Sequence, residues 1–494
     1  MNCTPWSTAR LSKLCPISGV LLLACLTSQA ASQQLGRAFT PIYDLQGGLI
    51  GTTADIASAL GGTFASAGAA PTVNVQFSPG TTRVHVTIPN TGTAWAEEFL
   101  AFIPNGPTPP ASSPLLVLFH GAGQQPTNSV SAISVEDLAS PIITEAINRG
   151  WHVLIPLGGH AFNFGHPDAQ TNTQLSMEVF MEMFGTSIDI ARVYGYGHSM
   201  GGGWMMAQAG LRSGVDDLRF AALFANAGTP STAFTYGMAL NHSVLDIIFG
   251  GSPSTDPFIY SRSSMADVSS QFPFPIDPST PTCLNLNGTP IHAWTCWWDK
   301  LQFRIAAFSV HDYLDSLDSP NRLAVPNCAT PYHHWRNPEN MEVLDWMGGQ
   351  TLSDPDPSQA HSILADRDAQ FHYFHLVQEV AGQFSRLSYQ LFTSIPNDKL
   401  VLASPENLEQ VSFSASRVGI TTTPNFEVLI NSNGVAAPDV LVSDISTPSS
   451  VERFDGSAWI TAPFLNLRTG GILLDGAGNP PPQGQAVALW RITQ

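Results

Sequence analysis

Positive charge is scarce in this chain, and lysine is almost absent. The 494 residues include 20 lysines and arginines against 38 aspartates and glutamates, which gives a formal net charge of −18. The lysines are Lys13, Lys300 and Lys399. Nucleic acids and anionic membranes attract basic surfaces, so this composition argues against both as partners. The acidic residues are dispersed along the chain, which indicates a solvated exterior.

Long hydrophobic runs are also scarce. An apolar run at Gly19–Leu26 follows the basic residues Arg10 and Lys13 and precedes the small-x-small pattern of Ser28–Ala30. This arrangement predicts a signal peptide over residues 1–30, and therefore a secreted or periplasmic protein. No later run is long and apolar enough to predict a transmembrane segment.

Cysteines are few, and half of the six lie in the predicted signal peptide. One of them, Cys25, ends a Leu-Leu-Ala-Cys sequence that resembles a bacterial lipoprotein box, so a lipid anchor on Cys25 is the alternative to secretion. The other three are Cys283, Cys296 and Cys328. Their odd number allows one disulfide and one free thiol. Their spacing does not match a zinc site, and we expect neither a metal nor another cofactor.

The middle of the chain alternates between short apolar runs and helical patterns. The run Leu115–Phe119 is apolar at every position, which is typical of a strand buried on both faces of a parallel sheet. Further strands are predicted at His152–Pro156, Arg192–Gly197, Phe220–Ala225, Ile291–Trp294 and Arg322–Val325, and helices at Val135–Asn148, Leu175–Phe184 and Glu339–Met347. This alternation predicts an α/β fold with a doubly wound, mostly parallel sheet.

The flanking segments differ in texture. Residues 31–93 form an N-terminal extension with β-strands, and residues 94–352 form the α/β domain. An apolar insertion at 228–290 interrupts that domain, and we expect it to form a lid. Residues 358–494 carry about seven short strands at roughly ten-residue spacing, which predicts a β-sandwich-like C-terminal domain.

The sequence Gly-His-Ser-Met-Gly-Gly at residues 197–202 is the strongest functional signal. It lies between the predicted strand Arg192–Gly197 and a segment of helical composition. A G-x-S-x-G motif in that context is typical of a nucleophile elbow, in which a strained turn exposes the serine hydroxyl above a sheet. Ser199 is therefore the candidate nucleophile.

These residues also resemble a known family. The segments Leu118–Gly121, Arg192–Gly202 and His333–Trp335, together with the strand that leads to Asp299, are similar to those of the α/β-hydrolase superfamily. The resemblance is greatest to secreted polyhydroxybutyrate-depolymerase-like and feruloyl-esterase-like serine hydrolases, with prolyl-oligopeptidase-like enzymes as cousins. It implies an α/β-hydrolase fold over roughly Ala94–Gly349. The chain departs from the family at Thr295–Trp297, where relatives often carry His-Gly-Thr.

A serine hydroxyl needs a histidine as base and a carboxylate that orients it. In α/β-hydrolases the order along the chain is serine, acid, histidine. Asp299 follows a predicted strand and is the favoured acid, whereas His333 is the favoured base and His334 the alternative base. The other candidate acids are Asp277, Asp312, Asp315 and Asp318.

The oxyanion hole requires two backbone N–H donors. We expect them to be those of Met200, which follows the nucleophile, and Ala122 in the sequence His120-Gly121-Ala122-Gly123. The expected substrate-binding side chains are His120, His198, Trp297, Trp298 and Trp335. The tryptophans flank the predicted acid and base, so an aromatic-lined pocket is expected.

Two disulfide pairings remain open. Cys296 and Cys328 each follow a predicted core strand, and neighbouring strand ends lie close enough for a disulfide. That bridge would brace the loops that carry Asp299 and His333. The alternative pairing is Cys283–Cys296.

The leading hypothesis is a secreted serine hydrolase that cleaves carboxylic esters through an acyl-serine intermediate. The first alternative is a serine peptidase of the prolyl-oligopeptidase type, and the second is a non-catalytic binding protein on the same fold. Because no predicted triad member lies beyond about Leu352, the C-terminal domain is expected to be separable from the chemistry.

Overall fold

A computed structural model describes much of the chain from residue 72 onward. The described residues are 72–89, 91–105, 112–127, 133–214, 217–229, 231–237, 242–268, 282–317, 319–327, 340–393, 397–420, 425–432, 437–445, 448–455, 457–462, 464–467, 471–474 and 487–493. The predicted signal peptide, with Cys25, lies outside them. By contacts, all of these described residues belong to one compact unit.

A nine-stranded sheet organises the first half of the described chain. The strands of this half are β1 Thr72–Ser78, β2 Thr81–Ile88, β3 Glu97–Pro104, β4 Ser113–Phe119, β5 Gln124–Gln125, β6 Ile133–Ser134, β7 His152–Pro156, β8 Ile188–His198, β9 Ala222–Asn226, β10 Ile291–Trp294 and β11 Asn321–Ala324. Strands β5 and β6 form a separate two-stranded sheet, and the other nine form the main sheet. The spatial order is β1-β2-β3-β7-β4-β8-β9-β10-β11. The six strands β7, β4, β8, β9, β10 and β11 are parallel to one another. The pairs β1–β2, β2–β3 and β3–β7 are antiparallel.

Helices follow the strands and cover the sheet. They are α1 Val135–Leu138, α2 Ser140–Asn148, α3 Pro167–Phe184, α4 Met200–Leu211, α5 Thr232–Tyr236, α6 His242–Phe249, α7 Pro257–Arg262, α8 Leu301–Ser316, α9 Asn340–Gly348 and α10 Ala415–Val418. The first nine belong to the α/β part, and α10 lies in the C-terminal region. The predicted α/β class is therefore confirmed.

Strand β4 shows why the sheet is buried on both faces. Leu115, Val117 and Phe119 point into the core shared with helices α3, α4 and α8. Leu116 and Leu118 point into the opposite core, which contains residues of α2 and α9. Because alternate side chains of a strand face opposite sides, an entirely apolar strand needs a cover on each side, and this sheet has both.

Several boundaries differ from the sequence prediction. The predicted helix Val135–Asn148 is two helices, because the chain leaves helical geometry at Ala139 before a proline in the first turn of α2. Helix α3 begins at Pro167, eight residues before its predicted start. Its first turns are polar, so apolar periodicity does not reveal them.

The N-terminal strands belong to the main sheet. Strands β1 and β2 form a hairpin, and β2 pairs with β3 along its whole length from Thr81 to Ile88. Val84, Val86 and Ile88 lie in the same core as β4. The sheet therefore runs across residue 94, where the sequence predicted a domain boundary.

The 228–290 insertion contains helices where it is described. These are α5, α6 and α7, followed by a 3₁₀ turn at Thr282–Leu286. The insertion leaves the sheet after β9 and returns at β10.

The C-terminal part folds into two sheets. Its strands are β12 His361–Ala365, β13 Ala369–Phe371, β14 Phe374–Gln378, β15 Ser385–Phe392, β16 Asp398–Glu406, β17 Leu408–Ser414, β18 Asn425–Asn431, β19 Asp439–Ser443, β20 Ser450–Phe454, β21 Trp459–Thr461, β22 Leu465–Leu467, β23 Gly471–Leu474 and β24 Val487–Thr493. The orders are β12-β15-β16-β18-β24-β20-β21 and β13-β14-β17-β19-β23-β22. Side chains of both sheets share one hydrophobic core. We call the part from His361 onward the C-terminal β-region.

Within the described residues, no helix is both long and apolar enough to cross a membrane.

Candidate functional site

Ser199 occupies a strained turn between β8 and α4. Its backbone φ is 55° and ψ is −120°, a conformation that L-amino acids rarely adopt. Its N–H donates to the carbonyl of Asn226 at 2.8 Å, and its own carbonyl accepts from Gly202 and Thr229. These bonds hold the turn while the residue remains partly exposed. Ser199 thus has the strand–turn–helix context that a nucleophile elbow requires.

The glycines around Ser199 are required by close backbone contacts. A Cβ atom on Gly201 would overlap the carbonyl oxygen of Phe119, and one on Gly197 would overlap the carbonyl of Gly201. No side-chain rotation relieves an overlap with a backbone atom. The start of α4 is therefore packed directly against the end of β4.

That contact places the loop after β4 beside the nucleophile. Within this loop, Gly121 N donates to Gln124 Oε1, Gly123 N to the carbonyl of Ala161 and Gln124 N to the carbonyl of Gly121. Ala122 lies between these engaged amides and is exposed. Met200 is the first residue of α4, so its N–H has no acceptor within the helix. The structure thus brings the two predicted oxyanion donors to the same edge of the sheet.

Asp299 lies at this edge too, two strands away. Strand β9 lies between β8 and β10, and Asn226 pairs with His198 on one side and Trp294 on the other. Two strand spacings separate the ends of β8 and β10 by about 10 Å. Asp299 ends a turn that begins at Cys296, is buried, and accepts the N–H of Lys300 at 2.7 Å.

The other candidate acids are placed differently or are not described. Asp312 and Asp315 are exposed on α8. Asp277 and Asp318 lie outside the described residues.

The predicted bases His333 and His334 lie outside the described residues, as does Trp335. They belong to the segment between β11, which ends at Ala324, and α9, which begins at Asn340. Because β11 is parallel to β10, its carboxyl end lies at the Asp299 edge of the sheet. The segment that carries the predicted base therefore starts from that edge.

Two predicted substrate-binding residues, His120 and His198, are buried. His120 is fully buried, and its ring nitrogens contact the carbonyls of Gly121 at 2.9 Å and Leu157 at 2.8 Å. Burial lowers the pKa of His120, and the two contacts of its ring join the loop after β4 to the loop after β7. His198 is only 3 % exposed and lies against Gly121. Both side chains are thus buried, and their contact with substrate stays a prediction.

The two described tryptophans of the acid loop are open to solvent. Trp297 is 48 % exposed and Trp298 is 56 % exposed, and both lie within the turn from Cys296 to Asp299. The guanidinium of Arg304 lies 5.1 Å from the centre of the Trp297 ring, and Trp298 Nε1 donates to Asn327. Their position beside Asp299 suits contact with a ligand.

The cysteines exclude one of the two predicted pairings. Cys283 is a free, buried thiol, so the alternative Cys283–Cys296 bridge is wrong. Cys296 is disulfide-bonded, whereas Cys328 lies outside the described residues.

A buried carboxyl group that the sequence does not reveal, that of Glu97, lies near the edge of the sheet that carries Ser199. Glu97 Oε1 accepts from Ser176 Oγ at 2.9 Å and from the amides of Leu157 and Gly158 at 3.0 and 3.2 Å. Its Oε2 is buried without a hydrogen-bond partner among the described residues. Burial raises the pKa of Glu97 to about 8, although these hydrogen bonds act to lower it. No local motif marks this residue, because its environment comes from distant segments.

The insertion helices pack on the side chain of Met200. Met200, Phe164, Leu245, Phe249 and Tyr260 form one buried cluster. Phe164 N donates to Met200 Sδ at 3.2 Å, and the rings of Phe249 and Tyr260 stack 4.5 Å apart. The residue after the nucleophile is therefore covered by α6 and α7.

No family model and no curated protein matches the chain. Similar solved structures include an S-formylglutathione hydrolase from Agrobacterium tumefaciens, with 13% identity, 56% of this chain and 98% of that chain covered, and a TM-score of 0.40. Another is an acetyl xylan esterase from Paenibacillus sp. R4, with 13% identity, 65% and 99% covered, and a TM-score of 0.39. A third is an acylaminoacyl peptidase from Pyrococcus horikoshii, with 13% identity, 58% and 42% covered, and a TM-score of 0.40.

The doubly wound, mostly parallel sheet that the sequence predicts is present in the described residues. The doubly wound sheet carries Ser199 on an elbow between a central strand and a buried helix.

Proposed function

We propose that this chain is a serine hydrolase that cleaves carboxylic esters through an acyl-serine intermediate. Ser199 is the nucleophile, Asp299 the acid and His333 the base, with His334 as the alternative base. The observation that carries the proposal is the strained φ of 55° at Ser199, held by backbone bonds at the sheet edge that also carries Asp299. Strained backbone conformations of this kind cluster at active sites.

The spacing of the strand ends suits a triad. The gap of about 10 Å between the ends of β8 and β10 has room for one imidazole with a hydrogen bond on each side. In the proposed mechanism the imidazole takes the proton of Ser199 Oγ as that oxygen attacks the ester carbonyl. The imidazolium then donates the proton to the departing alkoxide, and an alcohol leaves. Asp299 stabilises the imidazolium and keeps its own charge.

Deacylation repeats these steps with water. The imidazole removes a proton from water as it attacks the acyl-serine carbonyl, and the proton returns to Ser199 when the acid product leaves. The amides of Met200 and Ala122 donate to the oxyanion in both tetrahedral intermediates. His120 supports this arrangement indirectly, because it ties the Ala122 loop to the carbonyl of Leu157.

The 228–290 insertion is proposed to be a lid. Its helices α6 and α7 bury Met200, which places them beside the proposed oxyanion hole. An apolar cover there excludes water and contacts the acyl or alcohol group of the substrate. Trp297 and Trp298, and Trp335 by its position in the sequence, are proposed to line the opposite side of the entrance.

Labelling with a fluorophosphonate probe tests the proposal directly. The probe reacts with an activated serine, so we expect one covalent adduct at Ser199, located by peptide mass spectrometry. Wild-type protein that fails to react would support a non-catalytic binding protein on the same fold. Heat-denatured protein is the matched control, because it retains Ser199 without the elbow.

The peptidase alternative needs a separate comparison. An ester hydrolase cleaves p-nitrophenyl esters far faster than peptidyl anilides, whereas a peptidase of the prolyl-oligopeptidase type retains substantial anilide turnover. Both activities would require Ser199, so kcat/KM on the two substrate types decides between them.

Export and the disulfide complete the proposal. The predicted signal peptide supports a secreted or periplasmic enzyme, or one anchored through a lipid on Cys25. Cys328 is the proposed partner of Cys296, in a bridge that would brace the loops carrying Asp299 and His333. Mass mapping of disulfide-linked peptides in exported protein tests both the pairing and the mature N-terminus.

A further inference from the structure

A buried carboxylate of the C-terminal β-region contacts the insertion. Asp366 follows β12, and its side chain has no solvent exposure. It forms ion pairs with Arg262, the last residue of α7, and with its neighbour Arg367 at 2.7 Å. A buried charge is costly unless it is paired, so these contacts fix its surroundings.

Arg367 connects the same point to the nucleophile helix. Its Nη2 donates to the carbonyl of Leu211 at 2.9 Å. Leu211 is the last residue of α4. The last carbonyls of a helix have no N–H donor within the helix, and positive charges are favoured there. The helix that begins after Ser199 is thus capped at its far end by the C-terminal β-region.

Asn285 strengthens this junction without charge. Its Nδ2 donates to the carbonyls of Gly210 and Leu364 at 2.8 and 2.7 Å, and its Oδ1 accepts from Leu364 N at 2.8 Å. Asn285 belongs to the 3₁₀ turn that ends the insertion. One buried amide therefore links the insertion, the nucleophile helix and β12.

A series of contacts connects Arg262 to Met200, the residue after the proposed nucleophile. The carbonyl of Arg262 accepts from Gln170 Nε2 at 3.2 Å, and the same amide donates to the carbonyl of Gly165 at 3.0 Å. Gly165 follows Phe164, which contacts Met200. Phe258 of α7 also contacts Phe384 of the C-terminal β-region, with ring centres 5.0 Å apart.

From these contacts we propose that Asp366 is a positioning residue that sets where α6 and α7 lie over Met200. The C-terminal β-region thereby determines the enzyme's preference among ester chain lengths. This inference rests on the proposed ester hydrolysis at Ser199. No part of Asp366 touches substrate; its effect passes through Arg262 and helix α7.

The charge arrangement shows which variants are informative. Burial lowers the pKa of Arg212, and the nearby positive charge of Arg367 lowers it further. Loss of the Asp366 charge leaves Arg212, Arg262 and Arg367 close together, so Asp366→Asn carries a risk of misfolding. Arg262→Gln is milder, because Asp366 keeps its ion pair with Arg367.

The test measures kcat/KM for p-nitrophenyl esters from acetate to decanoate in Arg262→Gln, Asp366→Asn and the double variant. We expect the ratio of long-chain to short-chain kcat/KM to change about five- to tenfold, mainly through KM of the long esters. The double variant should change the ratio no more than the larger single effect, because both substitutions remove one contact. An unchanged ratio in Arg262→Gln overturns the proposal.

Asp444→Asn is the matched control. Asp444 lies wholly within the C-terminal β-region, where it accepts from Ala415 N at 2.7 Å and Ser414 Oγ at 2.8 Å. We expect this variant to lower Tm without changing the ester ratio. If it changes the ratio as much as Arg262→Gln does, general destabilisation explains the effect and Asp366 has no positioning role.

Hydrogen–deuterium exchange separates this inference from the proposed function. We expect amides of α6 and α7 to exchange faster in Arg262→Gln than in wild type, and this measurement needs no substrate. If wild type neither labels nor hydrolyses esters, the proposed function fails, and exchange alone decides whether Asp366 positions the helices. Unchanged exchange in both helices overturns the positioning role in either case.

Discussion

The two ends of helix α4 are held in different ways. At the Ser199 end, glycines allow backbone to pack directly on backbone, with Gly201 against Phe119. At the Leu211 end, Gly210 also packs on backbone, at the carbonyl of Thr282, but here the side chains of Arg367 and Asn285 add hydrogen bonds to the last carbonyls. All residues of the helix are buried, so both ends lie within the protein.

The Ser199 end therefore depends on backbone packing, whereas the Leu211 end also depends on side-chain hydrogen bonds and ion pairs. Backbone contacts leave no room for an added carbon atom, so the site end is either intact or broken. Hydrogen bonds and ion pairs from side chains can be weakened one at a time. The helix therefore combines a fixed reaction centre with a far end whose attachment can be adjusted.

The largest expected effect is at the site end. Ser199→Ala should lower ester kcat/KM by on the order of 10⁴-fold or more, because only the oxyanion hole and substrate binding remain. Hydrolysis of a p-nitrophenyl ester measures the loss, and circular dichroism checks the fold. Activity within about tenfold of wild type would contradict the assignment of Ser199.

The base should show a nearly equal effect at one of two adjacent positions. His333→Ala should cost about as much as Ser199→Ala, because triad members act as a unit, whereas His334→Ala should cost much less. Each variant is compared by kcat/KM and by its rate of fluorophosphonate labelling. The reverse order would identify His334 as the base.

A single added methyl group tests the backbone packing at the Ser199 end. Gly201→Ala should reduce activity at least about 10²-fold or prevent folding, because the new Cβ overlaps a backbone carbonyl. Gly349→Ala is the control, since its Cβ would lie 3.5 Å from the nearest carbonyl oxygen, an ordinary contact. Tm and labelling rate are measured for both. Equal tolerance of the two substitutions would show that the start of α4 can adjust.

Glu97 tests whether the site end also depends on charge. Because burial raises its folded pKa from 4.5 to about 8, the folded state binds the proton more tightly than the unfolded state. Its contribution to stability is complete below pH 4.5 and is lost as pH rises toward 8. Glu97→Gln, which resembles the neutral acid, should remove this loss, worth at most about 1.4 kcal/mol per pH unit.

Urea unfolding of wild type and Glu97→Gln at pH 5, 6, 7 and 8 provides the measurement. The wild type should lose stability relative to the variant as pH rises. Parallel pH profiles would show that Glu97 ionises normally. Glu178→Gln is a comparison variant: burial also raises the pKa of Glu178, which accepts from Gln174 Nε2 at 2.9 Å, so this variant should remove a separate part of the pH dependence.

Strands with continuous apolar runs and the turn at Ser199 could be predicted from neighbouring residues in the sequence. The strands His152–Pro156 and Ile291–Trp294 have the bounds expected from the sequence. The elbow at Ser199 was also predictable, since the flanking glycines and the change from strand to helix are adjacent in the chain. Such features need no knowledge of distant contacts.

Tertiary contacts explain what the sequence could not reveal. The first turns of α3 are polar but buried, as with Gln170, which bonds to carbonyls of two other segments. The burial of His120, predicted to bind substrate, likewise follows from tertiary contacts, because its ring lies against the carbonyl of Leu157. Strands β12, β13 and β14 were missed because they are short and mix polar with apolar residues.

The capping of α4 has a consequence for how the protein is made. Arg367 follows Leu211 by 156 residues, and it supplies a bond that the last turn of the helix uses. During synthesis the chain leaves the ribosome N-terminus first, so the Ser199 elbow and helix α4 emerge long before this bond can form. Until Arg367 has been synthesised, the C-terminal end of α4 therefore lacks its hydrogen bond to the Leu211 carbonyl. A nascent chain that stops before β12 should reach the native arrangement more slowly than the full-length protein.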